Sequence, residues 1–295
     1  MLSRILILVM FFLASNIFAQ QSLNYSFNNG FDDWDYDFWD SDSRPLIEVQ
    51  YGSGEPKHEN FNNEFNDVGL IELKLGNSSI DYYYHDIIEL NASYLTVSQL
   101  SHDLKDSEKN ALKVNSKLLR IGIGIRSGYG YGNDAFTVLP YYSQNFMIAK
   151  MSGTNLPDIR TFISDENYEI DNEILGRYND AFRYAFSNEG GLKLELSKFI
   201  ALNGGYEYMV VYPRFMTWKL LGSMAVEMSV LSALDNFVDE IIDRSPLAGP
   251  IVNFVLKNAY SYAFYTLRKE DMNWPFDSET PLTYETFKVG FSFTF

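Results

Sequence analysis

The last ten residues of the chain, TFKVGFSFTF at positions 286–295, decide the fold class. One set of alternate positions is wholly apolar and mostly aromatic, and the other set is small or polar. The apolar set consists of Phe287, Val289, Phe291, Phe293 and Phe295. Because successive side chains of a β-strand point to opposite faces, this segment predicts a strand with one entirely apolar face.

This terminal strand resembles the C-terminal signal strand of bacterial outer-membrane β-barrel proteins, in which apolar residues alternate up to a final Phe. Nine residues at about 3.3 Å each, tilted by about 40°, give an apolar band of roughly 23 Å, close to the ~25 Å of such barrels. The resemblance implies that these five residues form an assembly signal. It also implies two partners, the barrel-assembly machinery and outer-membrane lipid, but it identifies no subfamily.

The beginning of the chain predicts a secretory signal peptide over residues 1–19. Arg4 precedes an unbroken apolar run over residues 5–14, and Ala19 stands at the cleavage position. The run is too short to span a bilayer, which takes about 20 apolar residues. A leader at one end and the terminal strand at the other predict a protein of the bacterial outer membrane.

Composition removes several functional classes. The chain has 295 residues, no cysteine and a formal net charge of −16. The lack of cysteine excludes disulfides, thiolate nucleophiles and cysteine–zinc sites. The acidic balance argues against a nucleic-acid partner, because such proteins present a basic face.

Alternating polarity recurs along the chain and predicts a mainly β fold, an antiparallel transmembrane barrel of about 8–12 strands. In residues 119–126, Leu and Ile alternate with Arg and Gly, and we expect Gly122 and Gly124 to point into a narrow lumen. The other strand candidates are residues 70–75, 82–90, 94–100, 136–148, 182–186, 192–196 and 202–212. A turn is predicted at 188–191, and loops at 104–117 and 152–172.

Residues 20–66 differ from the rest and are assigned to an acidic, aromatic N-terminal region, with the barrel over 67–295. Asp33, Asp35 and Asp37 occupy the first three spacings of a calcium loop, but Phe38 and Arg44 break the pattern. An adhesive or sugar-facing aromatic patch is a second interpretation. We favour a plain acidic extension.

A change of period from two to about 3.6 predicts a helical hairpin over residues 217–268, inserted before the last strand. It could plug the lumen, cap a mouth or lie in the membrane interface, and the acidic polar face favours a plug or cap. Glu227 and Asp235 fall within the apolar arc. They could be carboxylates aimed at the lumen or at a basic partner such as Arg214, or edge residues that reach water.

No pattern for catalysis, a metal or a cofactor is present. The three histidines, His58, His85 and His102, have no metal-ligand spacing, and no nucleophile elbow occurs. We therefore expect a non-enzymatic barrel that is structural or gives passive, porin-like transport of small solutes or a ligand. Two alternatives stay open: a soluble periplasmic or secreted β-domain that binds an apolar ligand, and an outer-membrane barrel hydrolase.

Overall fold

A computed structural model describes residues 43–84, 87–105, 112–133, 136–152, 154, 156–157 and 164–295. The predicted signal peptide, the three aspartates of the calcium-loop pattern and His85 lie outside the described residues. Asp42–Phe295 form one compact unit.

Eight antiparallel strands close into a barrel in sequence order, which confirms the predicted fold class and gives the lowest of the expected strand numbers. Each strand pairs with its neighbours in the chain, and β8 returns to pair with β1, where Thr294 faces Leu46. The strands are β1 (Arg44–Lys57), β2 (Val68–Tyr84), β3 (Ile87–Ser101), β4 (Lys117–Asn133), β5 (Phe136–Ser152), β6 (Phe182–Glu195), β7 (Ile200–Val211) and β8 (Leu282–Thr294).

The two ends of the barrel differ in their connections. At one end, here called the turn end, strands are joined through residues 85–86, 134–135 and 196–199, next to Arg44 and Phe295. At the other end, here called the loop end, the connections are residues 58–67, 102–116, 153–181 and 212–281. All helices of the described residues belong to loop-end connections.

Three boundaries predicted from the sequence are wrong. The barrel begins at Arg44 and not at residue 67, because β1 alternates buried and exposed residues between β2 and β8. The candidate strand 82–90 spans the connection between β2 and β3. The predicted turn at 188–191 lies inside β6, where Gly191 makes room for an inward tyrosine: an added Cβ would lie 2.4 Å from Tyr141.

The described residues contain three α-helices. The helix α1 (Asp165–Tyr178) begins inside the segment predicted as loop, residues 152–172, and extends beyond it. Ser164 caps this helix by accepting a hydrogen bond from the Asn167 N–H at 3.3 Å. The helices α2 (Thr217–Arg244) and α3 (Gly249–Arg268) form the predicted hairpin, joined by a 3₁₀ turn at Pro246–Ala248. Within the described part of the chain, no helix is long and apolar enough to cross a membrane.

Candidate functional site: lumen, outer face and helical hairpin

Strand alternation sorts polar residues into the barrel and apolar residues onto its outside. On β4, Arg120 and Arg126 are buried inside, whereas Ile121 points outward and is 55% exposed. The inward placement of the β4 glycines is as predicted. An added Cβ on Gly124 would lie 2.2 Å from the Asn145 Oδ1 and 2.4 Å from the Tyr94 ring, so only glycine fits at that level.

Eight ionised side chains fill the middle of the lumen and are called here the luminal charge cluster. Each is at most 2% exposed. Four carboxylates face four cations, so the cluster is formally neutral. Its members are Glu48, Glu72, Glu189, Glu207, Lys74, Arg120, Arg126 and Lys288.

The two lysines of this cluster each bridge three carboxylates. The Lys74 Nζ lies 3.1 Å from Glu189, 3.2 Å from Glu48 and 3.3 Å from Glu72. The Lys288 Nζ lies 2.7 Å from Glu189, 2.9 Å from Glu72 and 3.4 Å from Glu207. Buried charges are tolerated only when they are paired and hydrogen-bonded, and here every ammonium is surrounded by acceptors.

The two arginines complete the network, and one of them, Arg126, also packs against aromatic rings. Arg120 pairs with Glu207 at 2.8 Å and with Glu72 at 3.0 Å, and Arg126 forms two 2.8 Å hydrogen bonds to Glu48. The Arg126 guanidinium also lies 4.2 Å from the centre of the Tyr141 ring. These contacts link β1, β2, β4, β5, β6, β7 and β8 across the lumen, and the side chains that form them are almost completely buried.

The loop end is closed by apolar packing over the luminal charge cluster. Ile174, Leu175 and Tyr178 of α1 join buried residues of the strand ends in one hydrophobic cluster. Asp171 of α1 ties the β1–β2 loop to this cap, because its carboxylate accepts hydrogen bonds from the backbone of Asn62 at 2.8 Å and of Asn63 at 3.0 Å. Thus α1, which the sequence analysis did not predict, has the capping role that was expected of the hairpin.

A smaller apolar layer lies inside the turn end. Ile88, Leu90 and Leu139 are buried there against Tyr141, with Ile80 packed beside them. The lumen therefore has an ionic middle between two apolar layers. A barrel of about eight strands is just wide enough to be filled by its own side chains, as this one is.

The outer face is a broad apolar surface. The five residues predicted as the assembly signal all point outward, with exposed fractions from 36% to 63%. Outward residues of β1, β2, β3 and β4 are also exposed and apolar: Ile47, Val49, Tyr51, Ile71, Leu73, Leu75, Leu95, Val97, Leu119 and Ile121. Soluble monomers rarely expose contiguous apolar patches of more than a few hundred Å².

The helical hairpin lies on the outside of the barrel, so the expectation of a plug or cap is wrong. The outward-facing Tyr142, Asn188 and Tyr208 are buried beneath it, whereas their chain neighbours Tyr141 and Glu189 face the lumen. Asn188 donates to Glu227 of α2 at 3.2 Å, and Ser261 of α3 donates to the Tyr142 hydroxyl at 2.8 Å.

This hairpin extends from the loop end, where α2 begins after β7, towards the turn end. Near the turn end of β4, the Tyr129 hydroxyl lies 3.4 Å from an Asp239 carboxylate oxygen. Two residues further along β4, the Tyr131 hydroxyl donates a hydrogen bond to the backbone carbonyl of Leu247, which lies in the 3₁₀ turn that joins the two helices. The hairpin therefore runs along most of the height of the barrel wall.

Glu227 and Asp235 are paired within the hairpin and do not face the lumen. Glu227 is buried and lies 2.9 Å from Arg268, and Asp235 lies 2.5 Å from Lys257. Arg214, the partner suggested by the sequence, instead pairs with Glu279 at 2.9 Å. The true partners lie more than 20 positions away on the second helix, so no local spacing could reveal them.

The described histidines serve loop packing. The His102 Nδ1 lies 3.2 Å from the Asp67 carbonyl oxygen. His58 packs edge-on against Tyr178 of α1, and burial lowers its pKa to about 4, with Arg177 nearby acting in the same direction. Among the described residues, no group of three or more potential ligands is placed to hold a metal ion.

Comparison with known proteins finds structural matches only. Neisserial surface protein A (NspA) matches with 9% sequence identity and a TM-score of 0.37, over 85% of this chain and 97% of that chain. Ail, the attachment invasion locus protein of Yersinia pestis, matches with 8% identity and a TM-score of 0.31, over 86% and 99%. The outer membrane protein OprG from Pseudomonas aeruginosa matches with 9% identity and a TM-score of 0.27, over 86% and 96%.

No protein-family model matches the chain, and no curated protein matches it. The solved structures are therefore similar to this chain in fold alone. The assignment of an eight-stranded barrel rests on the strand pairing of the chain itself.

Proposed function

We propose that this protein is a structural barrel of the bacterial outer membrane whose lumen does not conduct solutes. The luminal charge cluster carries this proposal. Its eight side chains pair across the barrel and are almost completely buried. An open aqueous channel needs a barrel of about 16 strands, twice the number found here.

Membrane insertion is supported by the polarity of the two faces. Charged groups lie inside, and Phe, Ile, Leu and Val are exposed outside, as expected when the outer solvent is hydrocarbon. The soluble alternative required apolar side chains around an internal ligand cavity. The barrel has the opposite arrangement, which disfavours the soluble alternative. A large apolar surface is exposed outside, and ion pairs occupy the space where the ligand would bind.

A structural role is favoured over passive transport and over catalysis. A solute that crossed the lumen would have to separate buried ion pairs, and breaking one such pair costs about 3–5 kcal/mol. The hydrolase alternative required a histidine beside a nucleophile, whereas the described His58 and His102 contact a tyrosine ring and a backbone carbonyl. In this proposal, the cap at the loop end, formed by α1 and the β1–β2 loop, is the surface through which the barrel contacts molecules outside the membrane.

Assembly by the barrel machinery is part of the same proposal. The outward faces of Phe287, Phe291 and Phe295 are free of protein contacts over a large part of their area. The Phe295 N–H donates to the Pro45 carbonyl at 3.2 Å, so the last residue of the chain helps to close β8 onto β1. An exposed aromatic row on the closing strand is a suitable recognition surface for an assembly factor.

Planar-bilayer recording of the folded, full-length protein tests the proposal, with an open porin as positive control. We expect no conductance steps from the full-length protein. We also expect none after deletion of residues 217–268, because the hairpin lies outside the lumen. Large, steady conductance of the full-length protein would refute a sealed lumen. Recovery of folded protein without detergent, and without a mobility shift on heating, would refute the membrane location.

A further inference from the structure

Both sides of the helical hairpin carry apolar residues, and its buried side also carries polar and charged ones. The buried side of α2 includes Leu220, Met224, Leu231, Val238 and Ile242. The buried polar and charged residues of the hairpin include Ser223, Glu227, Asn253, Lys257, Ser261 and Arg268. The exposed residues of the hairpin include Val230, Phe237, Ile251, Val255, Tyr262 and Leu267. A helix that faces water places charged and polar groups outward and buries its apolar stripe.

Ionised residues are nearly absent from the middle of both helices. Residues 220–238 of α2 contain only Glu227 and Asp235, and residues 249–267 of α3 contain only Lys257. At 1.5 Å per residue, each stretch is roughly 28 Å long, close to the ~30 Å thickness of the hydrocarbon layer of a bilayer. Charged residues gather at the ends, for example Lys219, Asp243 and Arg244.

The three central charges are neutralised inside the hairpin and against the wall. Glu227 accepts from Asn188 of β6 and pairs with Arg268, whose guanidinium lies 4.4 Å from the centre of the Phe264 ring. Lys257 pairs with Asp235. A polar layer thus forms between hairpin and barrel wall, while the outer side of the hairpin continues the apolar outer face of the barrel. Polar groups within a membrane characteristically face the protein interior and pair with one another.

We infer that the helical hairpin is embedded in the membrane beside the barrel, with acyl chains of the lipid in contact with its outward face. The inference rests on the proposed membrane location. The barrel wall shields the polar side of each helix, so neither helix needs to be apolar all round. Val255 is 53% exposed and Ile121 on the bare wall is 55% exposed, so the protein leaves both side chains equally uncovered.

Spin labelling tests this inference directly, because the chain contains no cysteine and each single-cysteine variant carries one label. The variants are Val255→Cys and Ile251→Cys on the hairpin, Ile121→Cys on the bare wall, and Glu169→Cys on α1 as the aqueous control. All four residues are exposed. Each labelled full-length protein is folded into phosphatidylcholine–phosphatidylglycerol vesicles. For each spin label, the rate of collision with oxygen, which concentrates in lipid, is compared with the rate of collision with a water-soluble nickel chelate.

If the hairpin is embedded, labels at Val255 and Ile251 will favour oxygen as strongly as the label at Ile121, whereas the label at Glu169 will favour the chelate. Chelate access at both hairpin positions with oxygen access at Ile121 would overturn the inference and leave the membrane barrel intact. Chelate access at Ile121 as well would overturn both proposals. Shielding from both reagents, with dipolar broadening at Val255, would show that a second copy covers the hairpin, and this would also overturn lipid contact.

Discussion

Removal of one cation from the luminal charge cluster is the most direct test of how the barrel is held together. In Lys74→Met, three carboxylates lose an ammonium that lies within 3.3 Å of each of them. The formally neutral cluster then carries one excess negative charge in a region that water does not reach. Removing one partner of a buried ion pair costs about 3–5 kcal/mol, because the remaining charge stays buried without compensation.

This loss is large enough to measure by the fraction of protein that keeps its folded gel mobility after heating. For a chain of this size, 1 kcal/mol shifts the unfolding midpoint by about 2–4 °C, so Lys74→Met should lower it by roughly 6–20 °C. The matched control is Lys57→Met on β1, which removes a salt bridge to Glu55 with both side chains more than half exposed. Exposed pairs contribute about 0–1 kcal/mol, so the control should shift the midpoint only slightly.

A compensating variant separates charge imbalance from lost packing. Lys74→Met with Glu189→Gln removes one charge of each sign and restores formal neutrality. Directly coupled residues deviate from additivity by about 0.5–3 kcal/mol, so the double variant should be more stable than the sum of the two single variants predicts. The reasoning is refuted if Lys74→Met unfolds within about 2 °C of the unmodified protein. It is also refuted if the two single effects simply add.

Three further predictions concern single positions. Gly124→Val should abolish the heat-shifted folded form, because the new side chain would collide with the Tyr94 ring, whereas Gly204→Ala, with no atom nearer than 3.9 Å, should fold normally. Deletion of Phe295 should sharply lower the amount of protein in the outer-membrane fraction, and unchanged levels would argue against the assembly signal. His58 should titrate by NMR with a pKa of about 4. Since the unfolded value is about 6.5, stability should be constant above pH 6.5 and fall as the pH drops from there towards 4, and a titration near 6.5 would contradict the burial of this ring.

The sequence predicted the parts of the fold that depend on local periodicity. The alternation in residues 286–295 predicted β8 and its outward face, and the apolar period of about 3.6 predicted both helices of the hairpin. Boundaries failed where glycine was read as a turn residue, since Gly191 in β6 instead allows the close approach of Tyr141. Strand β1 was missed because it follows an acidic segment and its inward positions include glycines, a proline and Glu48.

Contacts between distant segments could not be predicted. Whether Glu227 faces the lumen, water or the barrel wall depends on where α2 packs, and its partner Arg268 lies on another helix. The luminal charge cluster joins six strands, and the pattern of any one strand shows only an inward charge. One signal was available: Glu48, Glu72, Glu189 and Glu207 all occupy inward positions of their strands, and so do the cations of the luminal charge cluster. Ionised residues of both signs on the inward face indicate a lumen filled by ion pairs.

The position of Lys288 on the last strand makes barrel closure and charge neutralisation a single event. Before β8 is in place, the other members of the luminal charge cluster carry one more carboxylate than cations, and the open sheet keeps them hydrated. Arrival of Lys288 supplies the missing positive charge at the moment when the seam with β1 forms and water leaves. Reopening that seam would separate Lys288 from its three carboxylates while water enters, so we expect unfolding that begins at this seam to be slow.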